Sequence, residues 1–179
     1  MKALVLADID DLHWHHGPGR ADLLISLGDV ATTVIIEAAS DYDCDIVFAV
    51  KGNHDSPEPF PTGITDLHLK RAEFCGLTFG GFNGSWKYKP RGHFLYEQEE
   101  VTNLLKNFPH VDVFISHNSP RRVHDKEDDT HFGFDALATY IAENQPRLFL
   151  HGHQHVNKET VVGKTRVVGV YGHSVLVID

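Results

Sequence analysis

Five short apolar runs, each closed by a residue able to bind or serve a metal, limit what this chain can fold into. They are ALVLAD (3–8), DLLISLGD (22–29), DIVFAVKGN (45–53), VDVFISH (111–117) and RLFLHGH (147–153). Continuous apolar runs without polar alternation predict strands buried on both faces, as in a sheet covered by helices. Between them, residues 31–40, 96–108 and 134–145 space their apolar positions as helices do. The stretch 66–83 and the tail 159–179, with VGKT as a turn signal, read as antiparallel hairpins. The expectation is one layered α/β domain over residues 1–179, with antiparallel strands at its edges.

Composition narrows the function classes. Net charge is −9 with histidine neutral, which argues against a chain-wide nucleic-acid footprint. The opening MKALVLADID is too short and too quickly charged for a secretory segment, and no run approaches the length that spans a bilayer. A soluble, cytoplasmic protein is expected, with no membrane partner. Cys44 and Cys75 lack CxxC spacing, which fits a reducing compartment. The unusual count is histidine, at 14.

Several of these histidines stand at strand ends. The first run is followed by Asp8 and Asp10, the second by Asp29, and the third by Asn53 and His54. His117 closes the fourth, and His153 and His155 close the fifth. Ligands of open α/β sheets collect beyond the carboxyl ends of the strands, so these donors are expected to converge in one crevice. A lone DxD or His pair carries little weight; five coincident strand ends carry the reading.

Asp8-x-Asp10, Gly28-Asp29, Gly52-Asn53-His54-Asp55, His117 before Asn-Ser-Pro, and Gly152-His153-x-His155 resemble, in order, the motif blocks of the calcineurin-like metallophosphoesterases. The resemblance covers nearly the whole chain and is closest to compact members without a cap domain. It implies a layered β-sandwich of mixed sheets flanked by helices. It also implies two divalent metal ions: one on Asp8, Asp10 and His155, the other on Asn53, His117 and His153, with Asp29 bridging. His54 would protonate the leaving group or stabilise transition-state charge, and Asp55 would orient its imidazole. The activity implied is hydrolysis of a small phosphomonoester or phosphodiester, nucleotides included, by a metal-bridging hydroxide. A non-catalytic scaffold of the same fold and a nuclease are the alternatives. The oligomeric state is open, a homo-oligomer included.

The chain departs from the family at position 10, where Asp stands for the usual His. With Asp8 and Asp29, Asp10 leaves two divalent ions one net positive charge instead of two, and hard oxygen ligation favours Mn²⁺. Fe, Mg²⁺, Ni²⁺ and Zn²⁺ are the other candidates. Asp11, His13, His15 and His16 are rivals for the ligand role of Asp10, with His15 and His16 read as solvated loop residues. Residues 11–21 are too few for the helix that usually separates the first two blocks, so that flank should be thin or covered by a partner. His153 and His155 are expected on an extended segment, side chains to one side, with Gly152 allowing close backbone approach. His151, outside the motif, is expected to pack or to support a ligand. The polar stretch 118–133 is the longest loop candidate, and its Arg121 and Arg122 are placed between phosphate contact and pairing with DKEDD. In 81–94, Trp86, Tyr88 and Phe94 interleave with Lys87, Lys89 and Arg91, as a base-stacking loop or as a surface loop.

Overall fold

The computed structural model describes Met1–Asp179. Its early strands are β1 (Lys2–Ala7), β2 (Leu23–Ser26), β3 (Val47–Ala49), β4 (Thr65–Asp66), β5 (Arg71–Phe74) and β6 (Leu77–Phe82). Next come β7 (Ser85–Trp86), β8 (Leu95–Tyr96), β9 (Val113–Ser116) and β10 (Leu148–His151). The tail holds β11 (Lys158–Val162), β12 (Thr165–Gly169) and β13 (Gly172–Val177). Helices α1 (Thr32–Asp41), α2 (Gln98–Leu105) and α3 (Asp135–Asn144) fall where the apolar spacing places them.

Two mixed sheets form a sandwich. The first has the order β13-β1-β2-β3-β4, the second β11-β12-β10-β9-β6-β5, and β7 pairs with β8 apart from both. Alternation along each strand explains the continuous apolar runs. Ala3, Val5 and Ala7 of β1 face inward, in one cluster with Phe79, Val113, Ile115, Leu148 and Leu150 of the second sheet. Leu4 and Leu6 face outward onto Val34, Ile35 and Ala38 of α1. The second sheet repeats the device, with Phe114 and Phe149 outward against Leu137, Tyr140 and Ile141 of α3. With both faces covered, buried polar residues enter the strands of these runs only at their carboxyl ends, as Ser26, Ser116 and His151 do. β1, β2 and β3 run parallel, as do β6, β9, β10 and β12, so their carboxyl ends share one edge of the sandwich.

Two expectations need correction. The tail forms one hairpin, β11–β12, whereas β13 leaves for the first sheet and pairs antiparallel with β1. Residues 11–21 are a loop, as their number requires, but not a merely solvated one. Trp14 is 8% exposed and packs edge-on to Tyr42, His16 and His173, plugging part of the face that lacks a helix. His16 lies against His173 at a centroid distance of 4.1 Å, and His15 is exposed. Beyond the plug, Val175 and Val177 of β13 stay 46% and 51% exposed. No helix is long and apolar enough to cross a membrane.

Candidate metal centre

The ligand candidates sit in the turns just past the parallel strands. Asp8 follows β1 with φ 53°, its N–H bonded to the Gly28 carbonyl at 3.1 Å. Its Oδ2 accepts the His153 N–H at 2.8 Å, while Oδ1 is buried with no hydrogen-bond partner. Asp29 also has φ 53°; its Oδ1 accepts the His54 N–H at 2.8 Å, and its Oδ2 lies 3.3 Å from His117 Nε2. Asp8, Asp29 and His117 each offer a ligand atom within 4.8 Å of the others.

His117 is oriented from behind. Its Nδ1 donates to the Leu27 carbonyl at 2.9 Å, which leaves Nε2 facing Asp29 Oδ2 and, at 3.1 Å, Asn53 Oδ1. The Asn53 amide is held by donation from Nδ2 to the Tyr88 hydroxyl at 3.2 Å. A neutral ring nitrogen aimed at two oxygens needs a proton or a cation between them. Burial works against protonation, but Asp29 and Asp8 outweigh it and raise the His117 pKa to about 9. Burial likewise pushes the Asp29 carboxyl up, yet His117 and the His54 N–H hold it at about 2. The Asp8 carboxyl is raised, chiefly by burial. These residues fit a divalent cation: the unpartnered Asp8 Oδ1 and the inward His117 Nε2 are what such an ion would use.

His153 and His155 are not on an extended segment. Both have left-handed backbones, φ 63° and 50°, and one is buried and the other exposed. His153 is buried, its ring 4.9 Å from that of His117, with Nε2 donating to the Thr130 carbonyl at 2.9 Å, so Nδ1 is left for ligation. His155 is exposed, with Nε2 3.5 Å from Asp8 Oδ1 and its ring stacked on Tyr171 at 4.8 Å. Asp10 is exposed on the lip of the same cleft, outside the Asp8–Asp29–His117 group. Of its rivals, Asp11 lines the cleft, while His13 is drawn off to Glu37 at 3.0 Å. A Cβ at Gly52 would collide with Asp29 Oδ1, and one at Gly152 would come within 2.8 Å of Asp8 Oδ2. Both motif glycines are therefore demanded by close approach to a ligand carboxylate.

His54 lines the cleft with an exposed side chain. The expected orientation of its ring by Asp55 is absent: Asp55 Oδ2 instead accepts the N–H groups of Gly52 at 2.7 Å and Asp29 at 2.9 Å. Asp55 thus fixes the two ligand loops to each other. His151 is packed away from the ligands, 0% exposed, with Nε2 2.9 Å from His124 Nδ1. Arg121 pairs with Asp125 and Glu127, and Lys87 with Glu97, so neither cation is free for a phosphate. Three contributors escape a motif reading. Tyr88, inside the aromatic loop, reaches Asn53. Thr130, inside the long loop, supplies only its carbonyl to His153. Lys51, one residue before the GNHD block, is buried in the cleft wall, and its place next to the motif is its only sequence signal.

The calcineurin-like phosphoesterase superfamily domain matches residues 6–171. The chain belongs to that superfamily. No curated protein matches it in sequence. Among solved structures it is similar to TT1561 of Thermus thermophilus, with 15% identity, a TM-score of 0.63 and coverage of 96% of this chain and 89% of that one. It is also similar to the phosphopantetheinyl hydrolase PptH of Mycobacterium tuberculosis, at 14% identity and TM-score 0.57, again covering 96% and 89%. Zinc-complexed Vps29 of Entamoeba histolytica, at 14% identity and TM-score 0.51, is covered to 74% by 96% of this chain. At such identities the likeness shows the fold, which is the expected mixed α/β sandwich.

Proposed function

We propose that the protein is a metal-dependent phosphoesterase acting on a small phosphate ester. The observation that carries this is the convergence of Asp8 Oδ1, unpartnered though buried, with Asp29 Oδ2 and His117 Nε2. Asp8, Asp10 and His155 would hold one divalent ion and Asn53, His117 and His153 a second, with Asp29 shared. Two Mn²⁺ ions there would neutralise phosphate charge and acidify a water for attack at phosphorus.

The chain's own groups do the rest. Asp55 and the glycines hold the ligand loops rigid, so the donors need little reorganisation when substrate arrives. His54, tethered through its N–H to Asp29 but with its imidazole in the cleft, hands a ring proton to the departing oxygen. The test is to load purified protein with Mn²⁺, measure bound metal, and assay p-nitrophenyl phosphate, bis-p-nitrophenyl phosphate and cyclic nucleotides. Turnover that disappears with chelator supports the reading. Stoichiometric metal with silence on every ester would replace hydrolysis by a binding role.

A further inference from the structure

The cleft above these residues, about 410 Å³ in volume, has unlike walls. Asp10 and Asp11 stand exposed on one lip. Elsewhere it is lined by Lys51, which is only 6% exposed, a burial that lysine seldom accepts. The Lys51 Nζ donates to the Ser56 carbonyl at 2.8 Å and stands 4.3 Å from the centre of the Phe60 ring. One ammonium hydrogen is thereby used, and the other two have no protein acceptor. Phe48 and Val50 turn into the sandwich, whereas Val47 packs on the α1 side. Phe60 belongs to that same outer cluster, so Lys51 reaches the cleft from the α1 side, away from the buried His117 and His153.

The start of α1 opens onto the same cleft, which Thr32 lines together with Val30 and Ala31 just before the helix. Its N-cap, Ala31, makes no side-chain cap, and no acidic residue occupies the turn. The N–H groups there keep their partial positive charge for whatever enters the cleft. Two features independent in sequence, a buried ammonium with two unused hydrogens and an uncapped helix start, give this part of the cleft donors for an anion, in a wall that Asp55 shares.

Resting on the phosphoester reading above, we propose that Lys51, with the first turn of α1, binds a second anionic group of the substrate. That group is a carboxylate or a further phosphate, carried beyond the reacting phosphorus. The reacting phosphate belongs to the Asp8–Asp29–His117 centre, which leaves Lys51, on the α1 side of the cleft, for a second anion. The favoured substrates are phosphorylated acids or bisphosphates, in preference to esters whose remaining part is neutral or cationic.

Three non-hydrolysable ligands on one ring test this by calorimetry with Mn²⁺-loaded protein: phenylphosphonate, 4-carboxyphenylphosphonate and benzene-1,4-diphosphonate. The second anion should improve affinity by about tenfold over phenylphosphonate, the scale of a charge-assisted hydrogen bond. Whichever of the two doubly anionic ligands gains more identifies the group. In Lys51→Met that ratio should fall to near one, and Lys51→Arg should retain most of it. If Lys51→Met does not fold, Lys51→Gln supplies the same comparison. A ratio near one in the unaltered protein, or one unchanged in the uncharged variants, overturns the proposal. The two readings fail separately: turnover without the ratio removes the anion subsite and leaves hydrolysis, whereas the ratio without turnover removes hydrolysis and leaves the subsite.

Discussion

Asp8, Asp29, His153 and His155 all hold φ between 50° and 63°, a region that non-glycine residues enter only at a cost of about 1 kcal/mol or more each. The strain turns each side chain back over its strand end, which an extended backbone would not do. The donor types were legible in the sequence because metal chemistry demands carboxylate, amide and imidazole. The left-handed turns were not, since Asp and His enter that region more often than other side chains but far too seldom to mark a particular position. The same gap explains Asp55: a His-Asp neighbour pair suggests an oriented imidazole, but backbone amides took the carboxylate first. His54 therefore acts without a carboxylate behind it. His54→Ala should lower kcat by about a hundredfold or more while leaving bound Mn²⁺ unchanged, as read by steady-state assay and metal analysis. Turnover near that of the unaltered protein would remove the role. Asp10, on the lip with the exposed His155, is the more open side of the ligand set. Asp10→His should move the metal that supports best activity from Mn²⁺ toward Zn²⁺ or Ni²⁺, and an unchanged metal ranking would refute that assignment.

The strands and helices were readable because burial on both faces, or on one helical stripe, writes itself into spacing. Crossings between the sheets were not: Gly169 and Gly172 around Val170 and Tyr171 signal a turn between β12 and β13 but not that the chain changes sheets there, so the tail passed for paired strands. Nor was the Trp14 plug, because Leu12 and Trp14 among polar and histidine neighbours are too few to set a period. Yet the packing assigns Trp14 weight. Its backbone N–H donates to Glu37 at 2.8 Å, and its ring joins the cluster of Leu4, Leu6 and α1 and extends it to His173 of β13. Trp14→Ala should cost about 3 kcal/mol of stability, measured by urea unfolding, because Leu12, the loop's other large apolar side chain, is 70% exposed and does not fill the gap. A loss under about 1 kcal/mol would mean that the loop merely rests on the sheet.

Over the whole molecule, buried imidazoles set the response to acid. His151 Nδ1 donates to the Gly152 carbonyl at 3.0 Å, so its Nε2 must accept from His124 Nδ1, and His124 Nε2 in turn accepts from Thr160 Oγ1 at 2.8 Å. Every member of this chain is neutral, and a proton on any of them breaks it. Burial pushes the pKa of His151 down to about 3, and burial pushes that of His153 to about 3 as well. Folded values below the unfolded 6.5 mean that the unfolded chain takes up protons that the fold refuses. Stability from these groups is complete above pH 6.5 and is lost progressively as pH falls toward 3. His117 acts in the opposite sense, its raised pKa of about 9 adding stability as pH falls through 9, but that gain is nearly complete by pH 6.5. Asp29, held at about 2, loses its contribution only as pH falls from 3.8 toward 2, whereas Asp8 and Asp55, raised chiefly by burial, gain stability as pH falls and offset part of the histidine loss. Between pH 6.5 and 4.5 His151 should therefore contribute a loss of about 2 kcal/mol, with His153 adding to it in the same direction. Urea unfolding with chelator present, which keeps metal release out of the balance, reads it as a falling midpoint with proton uptake on unfolding. A midpoint that is flat or rises over that window would show that the His151–His124–Thr160 chain is protonated or open in the fold.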